Sequence, residues 1–188
     1  MTFFVSSVTD TSFPNRYKVN RGGFMATQRT SLEIIENFLA QKRIAMVGVS
    51  RNPKEFSCML FGELCRRGYD MIPVNPAATE ILGRRCFARV RDIQPPPDAT
   101  ILMTAPAVTE AVICDCAEAG IQHVWMYSAG GQGAVSESAV EFCRERGIHV
   151  VEGECPYMFL PHAGLHRIHG WVRRIAGSYP RHAHHRAA

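Results

Sequence analysis

The chain has 188 residues, of which 46% are hydrophobic and 20% charged, and its formal net charge is +4 at pH 7. This length and composition predict one globular domain with a sizeable core. Its apolar runs are too short for a membrane span of about 20 residues, and its first residues lack the compact apolar segment of a secretory signal. We therefore expect a cytoplasmic protein. Seven scattered cysteines are an odd number, which favours free thiols over a disulfide framework.

The positive charge is concentrated at the two ends of the chain. Residues 1–30 carry a net charge of +3 and residues 155–188 carry +5, so residues 31–154 carry −4. Because the predicted globular part is acidic, a nucleic-acid-binding face built into the fold is disfavoured, although the basic ends could contact anionic partners without specificity.

Three regions are predicted from the texture of the sequence. Residues 1–29 have no lasting hydrophobic period and are expected to form a poorly ordered extension, with Met1 or Met25 as the start of translation. The domain is predicted at 30–177, and a tail rich in His and Arg at 178–188. At the start of the domain, Thr30 and Glu33 have the spacing of a capping box before a short amphipathic helix.

A β-α-β unit is predicted at 44–74. The apolar run 44–49 is typical of a buried strand, Ser57 is predicted to cap the next helix, and 69–74 forms the second strand. After an irregular crossover at 77–97, further strands are predicted at 99–103, 122–127 and 148–151, with helices at 108–119 and 136–146. Five strands that alternate with helices predict a single-domain α/β fold with a doubly wound, Rossmann-like parallel sheet.

Four polar or glycine-rich turns follow predicted strands, at 48–57, 75–76, 104–107 and 128–133. Ligands of doubly wound sheets bind outside the carboxyl ends of the strands, so we expect these turns to converge on a site. Gly48, with hydroxyl and amide side chains leading into a helix, is typical of a phosphate-binding turn. An ordinary strand-to-helix connection is the alternative interpretation of this stretch.

A nicotinamide cofactor is disfavoured by two absences. Gly48 is not followed by the second and third glycines of a dinucleotide-binding turn, and the second strand ends in the neutral pair Asn75 and Pro76 instead of a carboxylate. A ligand with an additional phosphate on its ribose would instead need cations. The cations available near these turns are Arg51, Lys54, Arg84 and Arg85, of which Arg51 and Lys54 lie in the loop itself.

Three segments carry a more specific resemblance: G-V-S-R-N-P-K-E-F-S at 48–57, R-G-Y-D-M-I-P-V-N-P at 67–76 and E-I-L-G-R-R-C-F-A-R-V-R-D-I at 80–93. From about residue 32 to residue 160 the chain resembles the small single-domain CoA-binding proteins. These share their fold with the nucleotide-binding domain of the succinyl-CoA synthetase α subunit.

The resemblance implies a site for CoA or an acyl-CoA. The first loop would wrap the pyrophosphate, the turn at 75–76 would lie by the adenosine, and the turn at 105–106 by the adenine or the start of the pantetheine arm. The residues implied in binding are Gly48, Val49, Ser50, Arg51, Pro53, Lys54, Ser57, Asn75, Pro76, Ala105, Pro106 and Gly130. Where the family's loop commonly has Arg-Pro-Ser, this chain has Glu55-Phe56-Ser57, which leaves Lys54 as the nearest substitute for a family arginine.

Candidate catalytic residues follow the fifth predicted strand. Glu154, Cys155 and His162 are a candidate acid, base or thiol nucleophile for an acyl-CoA enzyme. The alternative is a buried apolar cysteine beside a surface histidine. His162, His166 and His169 share one helical face and with Cys155 could bind a metal, but a polar helix face explains the same spacing, and we expect no metal.

The expected function is non-catalytic binding or regulation. The catalytic phosphohistidine of succinyl-CoA synthetase belongs to a further domain, so the resemblance does not bring ligase activity. An enzyme acting on an acyl-CoA thioester or another nucleotide conjugate is the first alternative, and an NAD-binding regulator is the second. The apolar residues of a predicted C-terminal helix could cover the sheet or pair with a second copy in a homo-oligomer. These are Leu165, Ile168, Trp171, Val172 and Ile175.

Overall fold

A computed structural model describes residues 30–128 and 133–160. The helices in this part are α1 (Leu32–Ala40), α2 (Phe56–Arg66), α3 (Pro106–Glu118) and α4 (Glu137–Glu145). The strands are β1 (Arg43–Val47), β2 (Asp70–Val74), β3 (Glu80–Ile81), β4 (Arg84–Arg85), β5 (Ala99–Leu102), β6 (His123–Met126) and β7 (His149–Glu152). The predicted N-terminal extension at 1–29 and tail at 178–188 lie outside the described residues and stay predictions.

Five strands form one parallel sheet in the order β2-β1-β5-β6-β7. Each corresponds to a strand predicted from the sequence, with ends that agree within two residues. The predicted α/β fold with a doubly wound, Rossmann-like sheet is confirmed. The irregular crossover additionally contains a short antiparallel pair, β3 with β4.

Helices cover both faces of the sheet because the strands are apolar on both sides. Ile44 and Met46 of β1 pack in one cluster with residues of α1 and α2, among them Phe38 and Phe61. Alternate residues of β1 face the other cluster, which contains residues of α3 and α4 such as Phe142. The carboxyl ends of the parallel strands therefore lie between two helical layers, and the connecting turns lie at that edge of the sheet.

The predicted capping box of α1 is wrong by one residue. Ser31 is the N-cap, and its hydroxyl accepts a hydrogen bond from the amide of Ile34 at 3.3 Å. The hydroxyl of Thr30 instead accepts from the amide of Glu152 at 2.9 Å, which ties the start of the domain to the end of β7. A contact between residues so far apart in the chain outweighs the local capping pattern.

All seven cysteines lie in the described residues, and each is free. No helix of 30–128 or 133–160 is both long enough and apolar enough to cross a membrane.

Candidate functional site

The turns after β1 and β5 meet at the switch point of the sheet. The chain leaves β1 through α2 towards β2 on one side, and it leaves β5 through α3 towards β6 on the other. The two connections therefore diverge between β1 and β5. Gly48 has a φ of +84°, and a Cβ at this position would lie 2.7 Å from the carbonyl oxygen of Met103 and 3.3 Å from Cγ2 of Thr104. Glycine is therefore required both for the backbone conformation and for the close approach of the two turns.

The loop between β1 and α2 is held by its own polar side chains. The amide of Ser50 donates to the hydroxyl of Ser57 at 3.0 Å, and the amide of Asn52 donates to the hydroxyl of Ser50 at 3.1 Å. The amide of Lys54 donates to Oδ1 of Asn52, also at 3.0 Å. These bonds fix a compact turn above the carboxyl end of β1.

Ser57 does not cap α2, so this prediction is wrong. The N-cap position belongs to Glu55, whose side chain forms no capping hydrogen bond, and Ser57 lies in the first turn of the helix. Its hydroxyl is used to hold Ser50. Because no side chain caps α2, the first-turn amides keep the capacity to bind an external acceptor, which the helix dipole favours if it is an anion.

The turn after β2 is joined to this loop by Asn75. Its Nδ2 donates to the carbonyl oxygen of Val49 at 2.9 Å, and its Oδ1 accepts from the amide of Ala77 at 2.9 Å. Both side-chain polar atoms of Asn75 thus position the backbone of the two turns. Pro76 follows it and is exposed.

The turn after β5 leads directly into α3. Ala105 is the exposed N-cap residue and Pro106 the first residue of the helix, where a missing amide hydrogen has no cost. The hydroxyls of Thr104 and Thr109 lie 2.8 Å apart and fix this start. The predicted binding turns after β1, β2 and β5 are therefore brought together at one edge.

The four candidate cations have different surroundings. Arg51 and Lys54 are exposed in the loop and form no salt bridge with any residue of 30–128 or 133–160. Arg84 lies near the start of β2, where its guanidinium is 3.2 Å from Oδ1 of Asp70 and 3.1 Å from the carbonyl oxygen of Met71. These contacts disfavour Arg84 as a cation that binds a phosphate of the ligand. Arg85 instead lies 4.9 Å from the ring centroid of Phe87.

A cluster of aromatic side chains that the sequence did not indicate lies beside the loop. Phe56 stacks on Tyr127, with ring centroids 5.2 Å apart, and lies 5.7 Å from the ring of Tyr157. These three residues are called the aromatic cluster below. They come from the start of α2, from the position after β6 and from the short 3-10 helix Pro156–Met158 that follows β7. In the sequence, Phe56 is notable only as a departure from the family's loop pattern. That departure does not indicate which residues its ring contacts.

A family model described as a CoA binding domain matches residues 42–161, which include the loop and all the strand ends described above. The chain belongs to this CoA-binding domain family. It is 31% identical over 123 residues to the uncharacterized protein YneT of Bacillus subtilis (strain 168), covering 65% of this chain and 88% of that protein. The predicted family resemblance is confirmed.

The chain is also similar to part of a larger protein and to a solved structure. It is 24% identical over 139 residues to the α subunit of the ADP-forming acetate–CoA ligase II of Pyrococcus furiosus, covering 70% of this chain but only 30% of that subunit. A solved hypothetical protein from Pyrococcus horikoshii OT3 has a TM-score of 0.63 at 29% identity, covering 69% of this chain and 88% of that chain.

Two of the three catalytic candidates, Glu154 and Cys155, lie in the described residues, and both are buried. Cys155 is 7% exposed, and burial raises the pKa of its thiol, which is the opposite of the shift that activates a nucleophile. Glu154 is buried, and its carbonyl oxygen accepts a hydrogen bond from Nε1 of Trp125 at 2.8 Å. His162 lies outside the described residues, so the catalytic assignment stays a prediction.

The remaining predicted positions lie outside the described residues. They are Gly130 in the turn after β6 and the three histidines His162, His166 and His169. Within 30–128 and 133–160, no group of three or more His, Cys, Asp or Glu residues is placed to hold a metal ion.

Proposed function

We propose that this protein binds CoA or an acyl-CoA through its ADP and pyrophosphate at the carboxyl ends of β1, β2 and β5, as a binding or regulatory module without catalysis. The observation that carries the proposal is the loop 48–57, which is preorganised by internal hydrogen bonds and lies within the matched family region. Preorganisation lowers the entropic cost of closing a loop on a ligand.

The pyrophosphate is assigned to the loop and the first turn of α2. Backbone amides at a helix N-terminus and the positive end of the helix dipole both favour a phosphate. Arg51 and Lys54 add two cations that no described carboxylate neutralises. At the amino ends of β1 and β2, by contrast, Arg43 and Arg84 are both paired with Asp70.

The adenosine end is assigned to the side of β2. Asn75 fixes the turn by its bond to Val49, and the amide of Asn75 donates to the carbonyl oxygen of Phe87 at 2.9 Å. Arg85 lies over the ring of Phe87 and places a guanidinium at this side of the sheet. A ribose phosphate suits that charge, whereas the absence of a carboxylate after β2 removes the usual partner of an unmodified ribose.

A binding role is proposed in preference to catalysis because Cys155, the candidate nucleophile among the described residues, is buried and not activated. The Cys155 thiol is protonated at neutral pH, since burial raises its pKa. The chain spans about a third of the acetate–CoA ligase subunit it matches, so that protein's named activity is not transferred.

Calorimetric titration with CoA, acetyl-CoA, NAD and ATP tests the proposal. We expect saturable binding of CoA and acetyl-CoA, weaker binding of ATP, and no measurable binding of NAD. Tight binding of NAD without binding of CoA would overturn the assignment.

A charge reversal tests which residues contact the pyrophosphate. Lys54→Glu is expected to weaken CoA binding at least about tenfold, because it replaces an attraction to the diphosphate by a repulsion. Lys42→Glu is the matched control, since Lys42 is exposed at the opposite end of β1 and lies over the ring of Tyr69. If Lys54→Glu binds CoA as tightly as Lys42→Glu does, the assignment of the loop is wrong.

A further inference from the structure

The aromatic cluster is adjacent to the proposed phosphate site, and Phe56 belongs to both through its backbone and its ring, respectively. Phe56 and Ser57 are consecutive residues in the first turn of α2. The hydroxyl of Ser57 holds the loop through Ser50, whereas the ring of Phe56 contacts Tyr127 and Tyr157. The side chains of the cluster therefore border the proposed pyrophosphate site.

The order of the strands determines which part of a CoA molecule can reach the cluster. With neighbouring strands roughly 4.8 Å apart, β6 lies about 10 Å from β1 and β7 about 14 Å from β1. Both are on the side away from β2, because the order is β2-β1-β5-β6-β7. If the adenosine lies towards β2, the pantetheine arm extends across β5 and brings the thiol end over β6 and β7.

The chemistry of the two sides of the site matches this orientation of the ligand. The side of β2 presents the guanidinium of Arg85, which suits a phosphorylated ribose. The side of β6 and β7 presents three half-buried aromatic rings, with the thiol of Cys155 buried nearby in the chain. An apolar group gains from contact with such a surface, and a charged group does not.

Tyr127 supplies a hydroxyl to this aromatic surface. Its hydroxyl forms no hydrogen bond with any residue of 30–128 or 133–160. Burial, with a smaller contribution from Cys155, raises the pKa of Tyr127 to about 12, so the hydroxyl keeps its proton at neutral pH and can donate it in a hydrogen bond. A carbonyl oxygen of a ligand is a suitable acceptor.

We propose that the aromatic cluster binds the acyl group of an acyl-CoA: Phe56 and Tyr157 contact an apolar acyl chain, and the Tyr127 hydroxyl donates a hydrogen bond to the thioester carbonyl. The ligand class is then an acyl-CoA with an apolar acyl group in preference to free CoA. This inference rests on the proposed function, since it places the acyl group relative to the pyrophosphate.

Titration of the unmodified protein with CoA and with acetyl-, butyryl-, hexanoyl- and benzoyl-CoA tests the ligand class. Each methylene that becomes buried is expected to tighten binding by up to about fourfold. Hexanoyl- and benzoyl-CoA should therefore bind at least about tenfold more tightly than CoA. Equal dissociation constants for CoA and all four thioesters would overturn the acyl site while leaving CoA binding intact, whereas a lack of binding by every ligand would overturn the proposed function itself.

Two substitutions test the named side chains. Tyr127→Phe keeps the ring stacked on Phe56 and removes only the donor, so it should weaken binding of every acyl-CoA about threefold to tenfold and leave CoA unchanged. Phe56→Ala should abolish the dependence of affinity on acyl length. Circular dichroism checks that both variants are folded, and Tyr127→Phe preserves the test if Phe56→Ala does not fold.

Tyr69→Phe is the matched control for Tyr127→Phe. The hydroxyl of Tyr69 donates to the carbonyl oxygen of Leu39 at 2.9 Å, near the amino end of β2. Its removal is expected to change no ligand affinity. A loss of acyl-CoA affinity that is the same in Tyr69→Phe and Tyr127→Phe would contradict a direct contact between Tyr127 and the thioester.

Discussion

The amino and carboxyl edges of the five-stranded sheet are stabilised in different ways. At the amino edge charged side chains neutralise one another: Asp70 lies 2.6 Å from the guanidinium of Arg43 and 3.2 Å from that of Arg84. At the carboxyl edge, a glycine contact and hydrogen bonds between neutral groups hold the loop, and its two cations have no described carboxylate as partner. Around β1 and β2, the arginines at the amino edge are thus paired within the protein, whereas Arg51 and Lys54 at the carboxyl edge remain available for a ligand.

Gly48→Ala is the change expected to have the largest effect on this difference. The new Cβ would lie against the carbonyl oxygen of Met103, and the residue would also be strained at a φ of +84°. We expect a loss of about 3 kcal/mol in the free energy of unfolding, measured by urea denaturation, together with a loss of CoA binding.

Gly68→Ala is the matched control for that substitution. Gly68 has nearly the same φ, +85°, but a Cβ there would meet no atom within 4 Å. It should cost about 1 kcal/mol, from backbone strain alone, without changing CoA affinity. If the two variants lose equal stability, the close approach of the turns after β1 and β5 does not constrain Gly48.

Asp70→Asn tests the other edge and should have a smaller effect. It removes the partner of Arg43 and Arg84, and since the Asp70 side chain is 49% exposed, the expected loss is about 1 kcal/mol or less. The dissociation constant for CoA should stay within about twofold. If Asp70→Asn changes the affinity for CoA beyond that range, the two edges of the sheet are not independent. Glu141→Gln, at an exposed residue of α4, is the control for loss of a carboxylate.

The smallest expected effect is a pH dependence at the amino ends of β6 and β7. His123 stacks on His149 at 5.4 Å, and its pKa is lowered by burial and then by His149, with Asp98 opposing. The unfolded chain therefore binds a proton at His123 more readily than the folded protein does. Stability is fully present above the ordinary pKa of 6.5 and falls as the pH drops through that value.

Thermal melts between pH 5.5 and 7.5 measure this dependence. His149→Gln removes one of the two causes of the lowered pKa and should flatten the decline in melting temperature on the acid side, while an NMR titration of His123 should show its pKa moving up. An unchanged titration curve of His123 in His149→Gln would show that the neighbouring ring does not contribute.

Local patterns in the chain predicted the elements that bound the site. The apolar run before Gly48, the helix after it and the second strand were all placed within two residues, because burial period and glycine position are properties of short segments. The N-cap residues of α1 and α2, by contrast, were predicted wrongly from the sequence. Thr30 and Ser57 both have the hydroxyl that a cap requires, yet Thr30 bonds to Glu152 and Ser57 to Ser50.

The charges show the same limit. Arg84 and Arg85 are adjacent and indistinguishable as candidate phosphate ligands in the sequence. In the folded protein one of them pairs with Asp70, while the other lies over Phe87. Successive side chains of a strand point to opposite sides, so Arg84 and Arg85 of β4 face different surroundings. Which arginine meets a carboxylate therefore depends on what packs against each side.

The sequence by itself determined the alternation of strands and helices, the glycine turn after the first strand, the absence of the dinucleotide fingerprint and the membership in a CoA-binding family. Only the tertiary structure decided how the polar and aromatic side chains are used: Ser57 as a loop tether, Arg84 as an ion-pair partner, and Phe56 as part of a cluster with Tyr127 and Tyr157. The physical reason is that periodicity and capping patterns describe contacts within a few residues. These three side chains are defined by neighbours that the chain brings together only when the sheet and its helices are assembled.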